Sequence, residues 1–359
     1  MRILQIIDSL DIGGAEKMAV NYANALSQRI EFSGIVVTRK EGELKNQLNE
    51  KVYYLFLNRK KIFDLKALLI FRRYIKCNKI EIIHAHGMSV FIAVIIKIIY
   101  FRVKVIWHDH NGARFNQRLI QNKLILFCSF FLSGIIVVNH KLRNWVKDML
   151  SFENVIYLPN FILNNNNRDE ITILKGTINK KILCLANLRN PKNHNLLIDV
   201  AIIIKDKFPE WTFHLVGKDY NDDYSSVLKN RIKENTLEKN VFIYGLKDDI
   251  ENIIMQSTIC ILTSDSEGLP VALLEYGLHK KATITTDVGE IPLIIENGIN
   301  GFITPVKDTN LFCSTLVKLI LNPDLRVSFG QNLYETILKN NSEKTIIDQY
   351  IKWLKCEKC

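Results

Sequence analysis

The sequence predicts an α/β protein made of two Rossmann-like domains, each a parallel sheet covered by helices on both faces. Three observations support this prediction. Short, continuously apolar, β-branched runs alternate with longer helical patterns, as expected for parallel strands that are buried on both sides. A polar segment interrupts the alternation near the middle of the chain, and the alternation then begins again. The length of 359 residues suits two domains better than one.

The first domain is predicted over residues 1–163. Its first strand, Arg2–Asp8, ends close to the pair Gly13-Gly14, and a helical pattern runs from Ala15 to Gln28. Ligands of such sheets bind at the carboxyl ends of the strands, so functional residues are expected there. The other strands are predicted at Gly34–Thr38, Val52–Leu57, Ile80–His84, Lys104–His108 and Gly134–Val138. The helices between them are predicted at Phe63–Lys76, Ser89–Tyr100, Phe115–Phe131 and His140–Met149.

A linker is predicted at residues 164–178, because the run from Asn164 to Glu170 is polar and has no hydrophobic period. The second domain is predicted over residues 179–340, and residues 341–359 are predicted to form a helix that returns to the first domain. Two such domains are expected to face each other across a cleft. Strands of the second domain are predicted at Lys181–Ala186, Thr212–Val216, Val241–Tyr244, Thr258–Leu262, Ala282–Thr285 and Gly301–Ile303.

Composition limits the classes of partner. Lysine and arginine total 48 against 37 acidic residues, which gives a net charge of +11. Such a basic chain suits nucleic acid, an anionic membrane surface or small phosphorylated ligands. Aromatic residues make up only 9% and show no RNA-binding pattern, so no nucleic-acid partner is expected. The most apolar stretch, Val90 to Tyr100, is too short to cross a bilayer, and most cysteines lie in apolar runs, which is typical of a cytoplasmic protein.

The run from Ser264 to Gly277 carries the strongest chemical pattern. It follows an apolar strand, and a helix is predicted to begin at about Pro270. A helix N-terminus at a strand end binds anions, because its free N–H groups and its dipole favour negative charge. A phosphate is therefore expected on the amides of this turn, with Glu275 on ribose hydroxyls and Glu267 on sugar hydroxyls. The predicted phosphate-binding turn consists of Gly268, Leu269, Pro270 and Val271.

This run resembles the donor-site signature of retaining glycosyltransferase family 4, which has Glu-Gly-x-Pro, Leu-Glu and then Thr-Asp-Val-Gly-Gly. The last part reads Thr286-Asp287-Val288-Gly289-Glu290 in this chain. The resemblance implies the GT-B fold, with a nucleotide-sugar donor on the C-terminal domain and an acceptor on the N-terminal one. It also implies a role in bacterial capsule, exopolysaccharide or lipopolysaccharide assembly. Matching segments occur in order at Gly13-Gly14-Ala15-Glu16, Ile83–Gly87, Trp107–His110 and Leu158–Asn160.

The opening of the second domain departs from the family pattern. The family usually has Gly-Arg-Leu, a short gap and Lys-Gly, whereas here Asn187 stands at the arginine position and Arg189 follows two places later. Lys192 keeps its place. A leaving diphosphate gains negative charge as the glycosidic bond breaks, so cationic partners are needed. Lys192 and Arg189 are therefore predicted to be catalytic and donor-binding, although Arg189 also suits a solvated basic loop.

The histidines form two His-x-His pairs at predicted strand ends. The pairs are His84 with His86 and His108 with His110. Such pairs bind metals in some proteins. No cysteine or carboxylate cluster completes a site here, apart from Asp109, so neither a metal nor a cofactor is predicted.

Roles for the first domain come from the resemblance. It implies that His108 lines the site near the reacting sugar, so His108 and Glu267 are predicted to be catalytic. The loop Gly13-Gly14 is predicted to contact the donor, and His86 and Gly14 are predicted to contact the acceptor. Strand alternation places the side chain of His84 on the same face as that of His86. One of these two histidines is therefore open to a purely packing role.

A basic, amphipathic segment extends from Arg59 to Lys76. It suits an anionic lipid surface at the inner face of the cytoplasmic membrane, and it suits a solvated helix with a core face equally well. Lipid-linked acceptors, which are common in the family, favour the membrane surface.

The sequence thus predicts a retaining, metal-independent hexosyltransferase that uses a nucleotide sugar such as a UDP-sugar. Two alternatives remain: a nucleotide-sugar 2-epimerase of the same fold, and a basic membrane- or nucleic-acid-binding protein with a non-functional site. The intact residues Glu267, Glu275 and Lys192 disfavour the second alternative. The donor sugar, the acceptor and the linkage do not follow from the sequence.

Overall fold

The structure is a computed structural model that describes residues 1–61, 64–112, 114–116, 122–162 and 172–356. The chain divides into two compact units. The first unit comprises Met1–Leu163 with Ser342–Cys359, and the second comprises Asn164–Asn341. No helix within the described ranges is both long and apolar enough to cross a lipid bilayer.

The first unit is built on a parallel sheet. Its strands are β1 (Arg2–Ser9), β2 (Phe32–Lys40), β3 (Tyr53–Phe56), β4 (Ile82–His86), β5 (Lys104–Asp109), β6 (Gly134–Val137) and β7 (Val155–Tyr157). They are ordered β3-β2-β1-β4-β5-β6-β7, and each pair is parallel. The helices are α1 (Gly14–Leu26), α2 (Leu65–Cys77), α3 (Val90–Ile99), α4 (Lys123–Ser129) and α5 (His140–Leu150). One face of the sheet packs against α2 to α5, and the other packs against α1.

The second unit repeats this plan. Its strands are β8 (Lys181–Leu185), β9 (Thr212–Val216), β10 (Val241–Gly245), β11 (Ile259–Leu262), β12 (Ala282–Thr286) and β13 (Phe302–Thr304). They form a parallel sheet ordered β10-β9-β8-β11-β12-β13. The helices are α6 (His194–Lys207), α7 (Asp223–Glu234), α8 (Ile250–Gln256), α9 (Val271–Leu278), α10 (Thr309–Leu321) and α11 (Pro323–Asn340). The predicted α/β class is therefore confirmed for each unit.

The last helix, α12 (Glu343–Lys355), packs on the first unit beside α1. The hydroxyl of Tyr350 lies 3.1 Å from Nδ1 of the buried His84, and Trp353 Nε1 donates to Asn154 Oδ1 at 3.0 Å. A Cβ on Gly134 would come within 2.6 Å of the Trp353 ring, so this glycine lets the indole lie against β6. The end of the chain therefore supports the strand face that carries His84.

The structure differs from the sequence prediction in three places. Residues 172–178 are attached to the second unit, because the backbone N–H and the hydroxyl of Thr172 donate to Asp249 at 2.6 and 2.8 Å. The earlier part of the predicted linker, residues 164–171, lies outside the described residues. The helix predicted at Phe115–Phe131 is described only as a short turn, Arg114–Asn116, and then α4. Strand β7 was not predicted, since its three residues are too few to show a period.

Both sheets reverse their strand order at one point, and the predicted site residues Gly13, Lys192 and Glu267 lie in loops that follow strands at these points. In the first unit the reversal lies between β1 and β4, and in the second it lies between β8 and β11. Such switch points open a crevice beyond the carboxyl ends of the two strands, where α/β proteins bind ligands.

Candidate functional site

An ion pair links the two loops at the switch point of the second unit. Lys192, in the loop after β8, donates to Oε1 of Glu267, in the loop after β11. Ser264 Oγ donates to the same carboxylate oxygen at 2.7 Å. The side chains of Lys192 and Glu267 are 21% and 11% exposed, so both are largely withdrawn from water. The structure thus brings together the predicted cation and the predicted sugar-binding carboxylate.

Backbone contacts hold these two loops in place. The amide of Asp265 donates to the carbonyl of Pro191 at 2.8 Å, and Thr263 Oγ1 donates to the carbonyl of Lys192 at 3.1 Å. Asn193 Nδ2 also donates to Asp265 Oδ1 at 2.8 Å, while its Oδ1 caps α6. Because the loops are tied at several points, the position of the ion pair does not depend on the flexible lysine chain alone.

Gly289 permits a third loop to support the same turn. Its φ of +59° lies in the left-handed region, and a Cβ would stand 2.2 Å from the carbonyl oxygen of Glu267. The amide of the next residue, Glu290, donates to the carbonyl of Gly268 at 2.9 Å. A side chain at position 289 would therefore push the glutamate loop out of place.

The predicted phosphate-binding turn lies at the start of α9. Pro270 is the residue that precedes the first turn of α9, and it has no N–H to offer. Only Gly268, Leu269 and Val271 of the predicted four residues carry amides. Glu275 is half-buried and lies on α9, one turn beyond Val271. Gly277 on the same helix packs against α11, because a Cβ there would meet the side chain of Ile337 at 2.6 Å.

Arg189 does not join this cluster. It is exposed, and within the described part of the chain its guanidinium makes no hydrogen bond or ion pair. Asn187, at the family's arginine position, instead accepts a hydrogen bond from the backbone of Lys218 at 2.9 Å through Oδ1. Asn187 therefore links the chain after β8 to the chain after β9. The predicted role of Arg189 at the diphosphate stays a prediction.

In the first unit, four histidine rings form one stack. His86 on β4 and His108 on β5 occupy paired positions of neighbouring strands, and His84 lies on the same face as His86. The ring centroids of His84 and His86 are 4.4 Å apart, and those of His108 and His110 are 4.0 Å apart. Tyr22 of α1 meets the His108 ring edge-on at 5.7 Å. The two predicted pairs are thus one cluster, and His84 shares it.

Hydrogen bonds to this stack are unevenly distributed. His86 uses both ring nitrogens, with Nδ1 2.9 Å from Nε2 of His110 and Nε2 2.8 Å from Oε1 of Gln5. Neither nitrogen of His108 has a hydrogen-bond partner among the described residues. Burial holds the pKa values of His84, His86 and His108 well below the usual value and lowers that of His110 to about 3. All four rings are therefore neutral at pH 7, and His108 has unused hydrogen-bonding capacity.

Nitrogen atoms of His84, His86 and His108 lie within 4.8 Å of one another, which is compatible in distance with a metal site. The arrangement of the rings suits coordination poorly. The His84 and His108 rings are tilted by only 11°, and stacked rings direct their lone pairs side by side instead of towards one ion about 2.0–2.1 Å from each nitrogen. His86 would also have to give up an existing hydrogen bond. The absence of a metal stays a prediction.

The predicted glycine loop lies between β1 and α1. Gly13 precedes the helix, where a Cβ would come within 2.3 Å of the Glu16 carboxylate. Gly14 begins α1, and a Cβ there would meet nothing within 4 Å. The fold itself therefore does not require glycine at position 14, and the space beside it is available to a ligand.

A buried ion pair beside the histidines did not emerge from the sequence. Asp109 ends β5 and receives two hydrogen bonds from Arg114, at 2.5 Å from Nε and 3.1 Å from Nη2. Arg114 also donates to Asn122 Oδ1 at 3.1 Å. Burial raises the pKa of Asp109, whereas Arg114 opposes this shift. The pair holds Arg114 against the end of β5.

Two family models match this chain and between them cover both units. The model described as Glycosyl transferases group 1 matches residues 167–336. The model described as Glycosyltransferase Family 4 matches residues 12–162. The boundary between the matches coincides with the segment that separates the two units.

Individual relatives are distant. A poly(ribitol-phosphate) alpha-N-acetylglucosaminyltransferase of Staphylococcus aureus (strain COL) is 24% identical over 226 residues, 62% of this chain and 43% of that protein. A UDP-Gal:alpha-D-GlcNAc-diphosphoundecaprenol alpha-1,3-galactosyltransferase of Escherichia coli is 22% identical over 338 residues, 86% of this chain and 85% of that protein. Among solved structures, Anabaena Alr3699/HepE in complex with UDP-glucose is similar, with a TM-score of 0.80, 17% identity and 99% coverage of both chains. The last likeness concerns the fold.

Proposed function

Because this chain belongs to the GT-B glycosyltransferases of group 1 and family 4, we propose that it transfers a hexose from a UDP-sugar to a saccharide acceptor with retention of configuration. The acceptor is a lipid-linked saccharide, and the product enters a cell-envelope polysaccharide. The name of the Escherichia coli relative, which prints a UDP-sugar and a diphosphoundecaprenol-linked sugar, supports this class of donor and acceptor. The name of the Staphylococcus aureus relative supports transfer of a sugar to a polymer, poly(ribitol-phosphate).

The observation that carries the proposal is the ion pair of Lys192 with Glu267 beside the start of α9. A nucleotide-sugar site needs positive charge for the diphosphate and acceptor oxygens for sugar hydroxyls. The ammonium and the helix amides supply the first, and the two glutamates supply the second. In this scheme Glu275 binds the ribose and Glu267 binds the hexose.

Retention is explained by a reaction on one face of the sugar. A double displacement needs a carboxylate nucleophile with an acid partner about 5–5.5 Å away. The carboxylate of Glu267 is already paired with Lys192, which lowers its nucleophilicity. In the same-face scheme, the departing diphosphate takes the proton of the acceptor hydroxyl, and Lys192 stabilises the charge that develops. His108 keeps its predicted place near the reacting sugar; both its ring nitrogens are buried, so a sugar hydroxyl reaches them only after neighbouring side chains move.

Replacement of Glu275 by alanine is expected to weaken UDP-sugar binding. Loss of a charged hydrogen-bond partner costs about 1.5–3 kcal/mol, which corresponds to roughly a 10- to 150-fold rise in Kd. Isothermal titration calorimetry with UDP-sugars measures this change. Glu251→Ala, at another half-buried helical glutamate of the second unit, serves as the matched control. Equal affinities of the Glu275→Ala variant and the unmodified protein would remove Glu275 from the donor site.

The product of the reaction is expected to keep the anomeric configuration of the donor. Proton NMR of the product formed from an α-linked UDP-sugar gives this configuration directly, and an α-glycoside is expected. Activity is expected to survive treatment with a chelator, since a cation and helix amides supply the charge stabilisation. A β-linked product would overturn the mechanism. Turnover of the free UDP-sugar to its 2-epimer without acceptor would establish the alternative epimerase.

We further propose that the first unit rests on an anionic membrane through α2, α3 and α4, which are neighbours in the fold. Exposed apolar side chains concentrate there, and neither aspartate nor glutamate occurs within the three helices. Phe101 and Phe130, at the ends of α3 and α4, are 76% and 79% exposed. The other exposed apolar residues of this surface are Leu65, Leu69, Ile70, Ile98, Ile99, Leu124 and Phe127. Apolar side chains among basic ones suit the headgroup region of anionic lipids.

The structure changes the composition of the predicted basic segment. Arg59 is buried, and its guanidinium reaches the carboxylate of Asp8 at 3.3 Å, so it is not part of a lipid-facing surface. Residues 62–63 lie outside the described residues. The exposed cations of α2 are Lys66, Arg72, Arg73 and Lys76.

The variant Arg72→Gln/Arg73→Gln is expected to bind vesicles that contain phosphatidylglycerol about 30-fold more weakly, because each basic residue near an anionic surface contributes about 1 kcal/mol. Co-sedimentation with these vesicles and with pure phosphatidylcholine vesicles measures the effect. The control Leu321→Ser/Val327→Ser removes exposed apolar residues from the second unit and is expected to change nothing. Binding that is equal for both vesicle types would contradict the proposed surface.

A further inference from the structure

A chain of hydrogen bonds leads from the centre of the first sheet to its carboxyl edge. Gln5 on β1 is fully buried, and its Oε1 lies 2.8 Å from Nε2 of His86 on β4. Nδ1 of His86 lies 2.9 Å from Nε2 of His110, which directly follows β5 and is partly exposed. The two histidine rings are nearly parallel, with 11° between their planes and 5.2 Å between their centroids.

The direction of every bond in this chain follows from its first acceptor. The Gln5 amide is oriented with its oxygen towards the ring, and an amide oxygen only accepts, so in this orientation Nε2 of His86 carries the proton that meets Gln5. A neutral imidazole holds one N–H, which leaves Nδ1 of His86 bare and able only to accept. Nε2 of His110 must therefore donate to it. His110 is consequently left with a bare Nδ1, which no described residue occupies as a hydrogen-bond partner.

Gln5 is an unfavourable residue for packing alone. Its Nε2 is buried and has no hydrogen-bond partner among the described residues. A buried donor without a partner costs about 1–3 kcal/mol, which an apolar side chain at the same position would avoid. The bond to His86 is what this side chain provides in the fold.

We infer that Gln5 is a positioning residue that fixes the tautomer of His110 through His86, so that Nδ1 of His110 accepts a hydrogen bond from a hydroxyl of the bound saccharide. The substrate class in this inference rests on the proposed glycosyltransferase function, whereas the tautomer does not. Acceptance by His110 requires no proton transfer, in agreement with a mechanism in which the leaving diphosphate takes the acceptor's proton.

The experiment compares the unmodified protein with Gln5→Glu and Gln5→Met. The carboxylate of the first variant still accepts from His86, whereas the methionine of the second does not hydrogen-bond the ring strongly. Long-range ¹H–¹⁵N spectra of protein labelled with ¹⁵N-histidine distinguish bare from protonated ring nitrogens. The His110 signals are identified by their loss in His110→Gln, and thermal unfolding confirms that each variant is folded.

A bare Nδ1 and a protonated Nε2 on His110 are expected in the unmodified protein and in Gln5→Glu, with a mixture of tautomers in Gln5→Met. Among active proteins, Gln5→Met is expected to raise the KM for the saccharide about 2- to 10-fold, the effect of one hydrogen bond. A proton on Nδ1 in the unmodified protein, or an unchanged tautomer in Gln5→Met, would overturn the inference. Absence of glycosyl transfer in all the proteins would refute the proposed function and leave the tautomer result standing.

Discussion

Substitution of Lys192 by alanine is expected to lower kcat by about 10²–10³-fold, the loss seen when one preorganised group that stabilises transition-state charge is removed. Lys192 is the cation that the structure places beside Glu267, and loop contacts hold it there. The effect falls on kcat more than on KM, because the diphosphate carries more negative charge when it leaves than when it is bound. Steady-state kinetics with saturating UDP-sugar measures the change.

Two further variants separate catalysis from structure. Lys192→Ala leaves the Glu267 carboxylate without its cation. The double variant Lys192→Ala/Glu267→Gln removes both charges, so it tests whether the loss of kcat comes from the unpaired carboxylate. Lys229→Ala breaks a similar ion pair, with Asp219, on α7 outside the two strand-end loops. It is expected to retain full activity. A kcat of Lys192→Ala equal to that of the Lys229→Ala control would exclude charge stabilisation by Lys192.

The parts of this molecule that could be predicted are those determined by local pattern. Continuous apolar runs predicted most strands, since strands buried on both faces require such runs. The glutamate run was placed at a strand end because it follows an apolar strand, and its proline placed the start of the helix that comes next. The position of Glu275 on α9 followed from the predicted start of that helix, whereas its role at the ribose stays a prediction.

The remaining parts depend on contacts between distant residues. Arg189 and Lys192 were both predicted to bind the donor, but within the described residues only Lys192 meets a carboxylate, because loop contacts from Thr263 and Asp265 hold its loop against Glu267. Gln5 and His86 are 81 positions apart, and no local pattern links them. Their proximity follows from β1 and β4 being neighbours in the sheet, which is set by the strand order.

The second large effect concerns acid stability. We expect the first unit to lose several kcal/mol of unfolding free energy between pH 6.5 and 4.5. Burial keeps the pKa values of His84, His86 and His108 far below that of an unfolded histidine, which is about 6.5. In this window the unfolded chain binds protons that the folded chain does not, so acid favours unfolding. Each such histidine contributes up to about 1.4 kcal/mol per pH unit.

Urea titrations at several pH values, followed by tryptophan fluorescence, measure this dependence. Trp107, Trp145 and Trp353 lie in the first unit, so the signal reports mainly on it. The variant His84→Leu removes one buried histidine and is expected to flatten the slope by about one proton, whereas His140→Gln, at an exposed histidine, is expected to leave it unchanged. Asp109 opposes the trend between the pKa of an unfolded aspartate and its own raised pKa, because in that window the folded state binds a proton that the unfolded chain does not. An unfolding free energy that is constant from pH 6.5 to 4.5 would mean that the histidine stack is protonated in the folded protein, and the neutral hydrogen-bond chain from Gln5 to His110 would fail with it.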